Sequence, residues 1–151
     1  MDYAFEYVIE NGICSESAYP YTAYDGTCKS SSCPVVTRIS GFVDVRSGDE
    51  NALLTAVNLG PVSVAIEADT SVFQFYTSGV LNNPACSCGT NLDHGVLVAG
   101  HGTDSASGLD YWRVKNSWGV NWGEKGYIRM VRNKNMCGIA TEPSYPTGAS
   151  L

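Results

Sequence analysis

Between Leu92 and Tyr127 the chain carries the pattern that most restricts its fold. The stretch opens with Leu92-Asp93-His94-Gly95-Val96-Leu97-Val98-Ala99-Gly100-His101-Gly102. After a polar loop it resumes with Asp110-Tyr111-Trp112-Arg113-Val114-Lys115-Asn116-Ser117-Trp118-Gly119 and Val120-Asn121-Trp122-Gly123-Glu124-Lys125-Gly126-Tyr127. Gly95 to Gly100 and Tyr111 to Lys115 read as strands. A histidine therefore stands at the mouth of one apolar strand. An asparagine and two tryptophans stand at the end of another, in a loop punctuated by glycine. Such loops line surfaces and clefts.

A chain of 151 residues is one domain by length, or parts of two small ones. It is 44% hydrophobic and only 16% charged, which argues for a sizeable core and against disorder. A net charge of −6 with no basic stripe argues against nucleic-acid binding. No apolar run approaches the length of a membrane span. Met1-Asp2-Tyr3-Ala4-Phe5 lacks the basic start of a signal peptide, which points to the cytosol. Six cysteines (Cys14, Cys28, Cys33, Cys86, Cys88 and Cys137) point instead to an oxidising compartment. A truncated N-terminus is the expectation that reconciles the two.

Residues 1–11 read as a helix, with Ala4, Phe5, Val8 and Ile9 in helical period and Asn11-Gly12 as its stop. Residues 13–34 are loop-rich. From Val35 to Val45 the pattern alternates as a strand. A short helix follows, capped by Ser47 or Asp49, faced by Ala52, Leu53, Ala56 and Val57, and stopped by Gly60-Pro61. Val62 to Ala68 reads as a buried strand, and Gly126 to Val131 as another. Val72-Phe73-Gln74-Phe75-Tyr76 is too short to classify. Strands of this length with long irregular loops suggest an antiparallel sheet or barrel, preceded by the remainder of a helical unit.

Taken alone, a histidine at a strand start is usually a surface residue or a satisfied core residue. Asn116 changes the reading. Its side-chain carbonyl can accept the Nδ1–H of an imidazole and hold the ring for proton transfer. Trp118, two residues on, can cover that bond from water. Core packing is the plainer reading of Trp118 and Trp122, weakened by their place in the Gly-punctuated loop.

At these residues the chain resembles the papain-like cysteine proteases. Leu92-Asp93-His94-Gly95-Val96-Leu97-Val98 is similar to their histidine motif. Lys115-Asn116-Ser117-Trp118-Gly119, with Asn121-Trp122-Gly123 and Gly126-Tyr127, is similar to their asparagine motif. Met1-Asp2-Tyr3-Ala4-Phe5, Cys137-Gly138-Ile139-Ala140 and Ser144-Tyr145-Pro146 look most like the cathepsin L branch. The resemblance covers essentially the whole chain.

The resemblance implies an α+β, two-domain papain-like fold. Residues 1–36 would be the remainder of the helical left domain. Residues 37–134 would form the β-barrel-like right domain, and residues 135–151 would cross back. It implies a cysteine-type endopeptidase working through an acyl-enzyme thioester. His94 would be the base and acid, Asn116 its orienter, Trp118 the shield, and Trp122 the leaving-group side of the cleft. Met1, Ala65, Leu92 and Glu142 would line the pocket for the substrate residue two before the cleaved bond. Glu142 stands where the cathepsin L branch usually has a small residue, so arginine joins leucine and phenylalanine as an expected occupant. Asp93 would offer its backbone carbonyl.

The family's nucleophilic cysteine lies near the mature N-terminus, about 130–150 residues before the histidine and asparagine. None of the six cysteines has the family's nucleophile context, and Gln74 is the only glutamine. The expectation is a C-terminal fragment, inactive alone, whose nucleophile falls upstream of Met1. The alternative is an inert or serine-substituted homologue with a binding role. By family matching Cys137 pairs with Cys88, with Cys86 as the rival, and Cys14 pairs with Cys33. A zinc site from Cys86, Cys88, His94 and His101 is the minor reading, and neither metal nor cofactor is expected. The resemblance further implies polypeptide substrates, cystatin-like or propeptide inhibitors, a monomer without membrane or nucleic-acid partners, and a lysosomal, endosomal-vacuolar or secreted location.

Overall fold

The computed structural model describes residues 1–82 and 86–150. The chain divides into two compact units, one of Met1–Val43 with the segment from Pro146 onward, the other Asp44–Tyr145.

In the first unit, helix α1 (Asp2–Asn11) has only Phe5, Val8 and Ile9 half-buried. It ends at Gly12, whose φ is +76°. A Cβ there would overlap Val35 Cγ1, so the stop is steric as well as conformational. Strand β1 (Ile13–Cys14) pairs antiparallel with β2 (Val35–Thr37). Cys14 and Cys33 are disulfide-bonded beside this pair. Phe5 stacks on Phe42 at 5.5 Å, and Arg38 Nη1 donates to Glu10 O at 2.8 Å. The strand read from Val35 to Val45 is in fact two, β2 and β3 (Gly41–Asp44). Between them Arg38 and Ser40 turn their backbone N–H groups to Ser150 O and Thr147 O. Alternating polarity cannot report that change of partner.

The second unit is built on a sheet ordered β9, β4, β6, β7, β8, β5. These are β4 (Val62–Ile66), β5 (Val80–Leu81), β6 (His94–Thr103), β7 (Asp110–Lys115), β8 (Tyr127–Val131) and β9 (Ser144–Thr147). The last of these, like β3, straddles the division between the units. Neighbours are antiparallel except β5 on β8, which are parallel, a correction to the all-antiparallel expectation. Two-residue β5 carries no period of its own; pairing with β8 makes it a strand.

Helix α2 (Glu50–Val57) packs on this sheet. Asp49 caps it by accepting from Asn51 N and Ala52 N at 3.0 and 2.9 Å, worth about 1 kcal/mol. The helix closes at Asn58, before the Gly60-Pro61 stop read from sequence, because Leu59 N and Gly60 N both turn back to Ala56 O. Its face, Leu53, Ala56 and Val57, meets Val62, Val64, Ile66, Val98, Trp112, Val114, Ile128 and Met130 in one core. Each large side chain buried there contributes about 1.5–3 kcal/mol over its exposed state.

One irregularity in β6 matters for the site. Val98 pairs with Val114 but Gly100 with Arg113, so Ala99 is an extra residue. The bulge resets the alternation. His94, Val96, Val98 and His101 therefore share the sheet face that carries Val114 and Trp112.

Candidate active site

His94 begins β6, opposite Ile66 of β4. The turn before it is tied down by carboxylates. Glu67 Oε2 accepts from Gly89 N at 2.7 Å and Asn91 N at 3.0 Å. Asp93 Oδ1 accepts from Ala68 N at 2.8 Å, and Asp93 N donates to Ile66 O at 3.0 Å. These bonds fix the backbone from which the imidazole projects. Nothing in the sequence singles out Glu67; a lone glutamate after a strand has no pattern.

Asn116 lies one residue past β7 and is 7% exposed. Its backbone N–H donates to Gly126 O at 3.0 Å, closing the glycine-rich loop at its base. Gly123 and Gly126, at φ +55° and +87°, make that closure feasible. A side chain at Gly123 would meet Tyr127 O at 2.5 Å.

His94 Nε2 lies 2.8 Å from Asn116 Oδ1. This corrects the expectation that Nδ1 would take that role. The amide cannot be turned around: Oδ1 also accepts from the Ser117 backbone N–H at 2.7 Å, and an N–H can only donate. Oδ1 is thus the acceptor for both, and Nε2 must carry a proton. In the neutral ring Nδ1 is then the lone-pair nitrogen. It has no hydrogen-bond partner among the described residues, whereas Asn116 Nδ2 is buried and unpaired.

Trp118 stacks on His94 with centroids 5.1 Å apart and planes at 29°. It stays 41% exposed, so the indole covers the imidazole while part of the side chain meets solvent. The indole is braced edge-on by Phe73 at 5.7 Å and Trp122 at 5.2 Å. Trp122 is pinned in turn, its Nε1–H donating to Gln74 O at 2.9 Å. Phe73 and Gln74 belong to a one-turn helix, α3 (Ser71–Gln74), the segment the sequence left unclassified. Tyr76 completes the base, its ring 5.7 Å from Trp122 and its hydroxyl donating to Gly79 O. Burial pushes that phenol up to about 12.

The far side of the loop is held by ions. Arg129 bonds both Glu124 and Asp104. Hydrogen bonds from Ser107, then Arg129, bring the Asp104 carboxyl down to about 2. The Arg129 guanidinium likewise lowers Glu124.

The remaining sequence candidates spread out. Ala65 pairs with Gly95 on the half-exposed face of β4. Leu92 packs where a side chain at Gly138 would meet its Cδ2 at 2.7 Å. Glu142 is exposed. Met1 is exposed in the first unit. Cys88 and Cys137 form a disulfide, leaving Cys28 exposed and Cys86 buried as thiols. Neither thiol bonds His94. The candidate zinc set does not come together among the described residues: the sulfurs of Cys86 and Cys88 gather with that of Cys137, not with His94 or His101, and Cys88 is in the disulfide.

The profile of the papain family cysteine proteases matches residues 1–147. A cathepsin L of Sarcophaga peregrina is 54% identical over 150 residues, covering 97% of this chain and 44% of that protein. Vignain of Ricinus communis is 56% identical over 153 residues, covering 97% and 41%. The chain thus spans less than half the length of these curated relatives. The bromelain protease of Ananas comosus, solved in complex with the E64 inhibitor, matches with a TM-score of 0.88 at 45% identity, over 97% of this chain and 68% of that one. Digestive procathepsin L 3 of Tenebrio molitor larval midgut matches at 0.86 with 51% identity, over 97% and 48%. The backbone trace is therefore the α+β papain-like one. Identity near one half along nearly all of the sequence carries the assignment further than the fold: this chain belongs to the papain family of cysteine proteases.

Proposed function

We propose that the protein is a cysteine endopeptidase in which His94 is the general base and acid and Asn116 orients it. The observation that carries this reading is the doubly engaged Asn116 Oδ1. It holds the proton on Nε2 and leaves Nδ1 free to take a thiol proton. In the resulting ion pair the imidazolium faces a thiolate, the nucleophilic form of cysteine. The thiolate attacks the peptide carbonyl, and His94 returns the proton to the departing amine. A thioester forms and water hydrolyses it, with His94 again as base. Trp118 keeps water from the Nε2–Oδ1 bond, and Trp122 lines the leaving-group side. The two thiols of these 151 residues do not bond His94, so the proposed nucleophile is a further cysteine of the full-length protein.

Labelling the full-length protein with an epoxide inhibitor of the E64 class tests this. The expected adduct is on one cysteine outside this sequence, and it is lost in His94→Ala. A serine or glycine at that position, or no adduct in the wild type, favours the inert homologue instead.

The same reading extends to specificity. Ala65, Leu92 and Glu142 are proposed to line the pocket for the residue two before the cleaved bond, with Asp93 offering a backbone carbonyl. The exposed Glu142 carboxylate pairs with a substrate arginine there. Comparing arginine with phenylalanine substrates on Glu142→Gln checks this; an unchanged ratio removes Glu142 from the pocket. Polypeptides are the substrates, and cystatin-like or propeptide inhibitors the regulators. Two disulfides suit a lysosomal, vacuolar or secreted protein.

A further inference from the structure

Three sulfurs, not two, meet beneath the turn that leads to His94. The Sγ atoms of Cys86, Cys88 and Cys137 all lie within 4.8 Å of one another. Two of them form the Cys88–Cys137 disulfide, and the third is a thiol that is 2% exposed. Cys86 Sγ sits 3.4 Å from Thr70 Oγ1, a hydroxyl able to donate to a thiolate. We infer that this cluster is a thiol–disulfide exchange site, in which Cys86 and Cys88 compete for Cys137.

Cys137 is the fixed member. It is 1% exposed, and its carbonyl accepts from Glu67 N at 2.9 Å. Its rivals stand two positions apart in the chain, flanking Ser87. A cavity of about 260 Å³, lined by Asn82, Lys134, Met136 and the three cysteines, borders the cluster. Close-packed interiors resist rotamer changes, and this space lets Cys86 and Cys88 trade places.

The chemistry balances without a co-reactant. Cys86 loses its proton and attacks Cys137 Sγ. The Cys86–Cys137 bond forms as the Cys88–Cys137 bond breaks. Cys88 leaves as a thiolate and takes up one proton, so nothing is oxidised or reduced overall. Cys86 and Cys137 are both buried, so attack on Cys137 Sγ comes most readily from this internal thiol.

The exchange matters for the site because of where the tether sits. With Cys88 bonded, the chain is anchored six residues before His94. With Cys86 bonded, the anchor moves two residues back, and the segment that Glu67 holds through Gly89 and Asn91 gains that much slack.

The full-length protein is held at about pH 8, where thiolates form and exchange proceeds, then quenched in acid. Free thiols are alkylated in acid denaturant and the peptides are mapped without reduction. Fragmentation between Cys86 and Cys88 reports which one carries the label. The expected result is label on both, with Cys137 cross-linked to each. Label confined to Cys86 at every time point overturns the inference. In Cys88→Ser, a Cys86–Cys137 disulfide is expected; free thiols at both positions in the folded variant also overturn it. Should that variant fail to fold, the wild-type map decides alone.

Discussion

Strand β6 carries two histidines in nearly the same company. Each directs Nε2 to an asparagine Oδ1, His94 to Asn116 at 2.8 Å and His101 to Asn58 at 3.0 Å. Each has a tryptophan ring beside it, Trp118 or Trp112. The bulge at Ala99 puts both on one face of the sheet. The differences lie in what surrounds these shared parts. Asn116 is buried and its oxygen is held by a backbone N–H, whereas Asn58 is an exposed helix-end residue. Trp118 stacks flat on His94, while Trp112 meets His101 edge-on at 6.4 Å and donates its own N–H to Glu50. Nδ1 of His94 has no hydrogen-bond partner among the described residues; Nδ1 of His101 has the Arg132 guanidinium 3.5 Å away. A residue list would not separate the two. What separates them is a fixed acceptor on one nitrogen combined with no partner on the other among the described residues.

The strongest way to break this comparison is to remove His94. In the full-length protein, His94→Ala is expected to lower kcat on a peptide substrate by roughly 10⁴–10⁶, since acid–base transfer and thiolate formation are lost together. Activity within tenfold of wild type would end the assignment. Asn116→Ala comes next. It frees the ring to turn and the proton to move to Nδ1, at a cost of roughly 10²–10⁴ in kcat with KM little changed. Asn116→Asp keeps the acceptor and should recover part of that loss. If the loss fell on KM instead, Asn116 would be a substrate contact and not an orienter.

The residue types at this site were legible because His94 and Asn116 sit inside long, distinctive strings. Their joining atoms were not. Which imidazole nitrogen faces Asn116 depends on the ring rotamer and on the path of the loop from Ser117 to Lys125. Glu67 and Phe73 escaped notice for a related reason. A lone carboxylate and a four-residue helix have no periodicity, and they acquire roles only when β4 and β6 lie side by side. The core strands β4, β7 and β8 were readable from apolar pattern because their partners bury them. The bulge at Ala99 left no mark, since apolar and small residues flank it on both sides.

Trp118→Ala sharpens the comparison further. Losing the stacked face lets water reach the Nε2–Oδ1 bond. An aromatic pair of this kind is worth about 0.5–1.5 kcal/mol, so kcat should drop about 2- to 10-fold. Trp118→Phe should restore most of it.

The far end of β6 should respond to acid and not to chemistry. Asp104 follows the strand, and its carboxyl is lowered to about 2 by Ser107 and Arg129. A carboxylate whose folded value is depressed stabilises the fold above its unfolded value and loses that stabilisation as pH falls to the folded one. Thermal stability should therefore fall between about pH 4 and pH 2 as Asp104 protonates and its bonds to Ser107 and Arg129 weaken. Arg129→Leu should flatten that part of the Tm-against-pH curve. An unchanged slope would mean that the Asp104–Arg129 contact is too solvated to matter.

His101→Ala is the smallest and most telling change. His101 is exposed, and its partners Asn58 and Arg132 are exposed or already engaged elsewhere, Arg132 over the Trp112 ring at 5.1 Å. Removing the imidazole leaves Asn58 to water at almost no cost, and surface changes of this kind stay within about 0.5 kcal/mol. Both kcat and Tm should stay close to wild type. A tenfold fall in kcat without a fall in Tm would show that the two ends of β6 are coupled through the bulge. The chemical difference between the histidines would then belong to the whole strand and not to the surroundings of each ring.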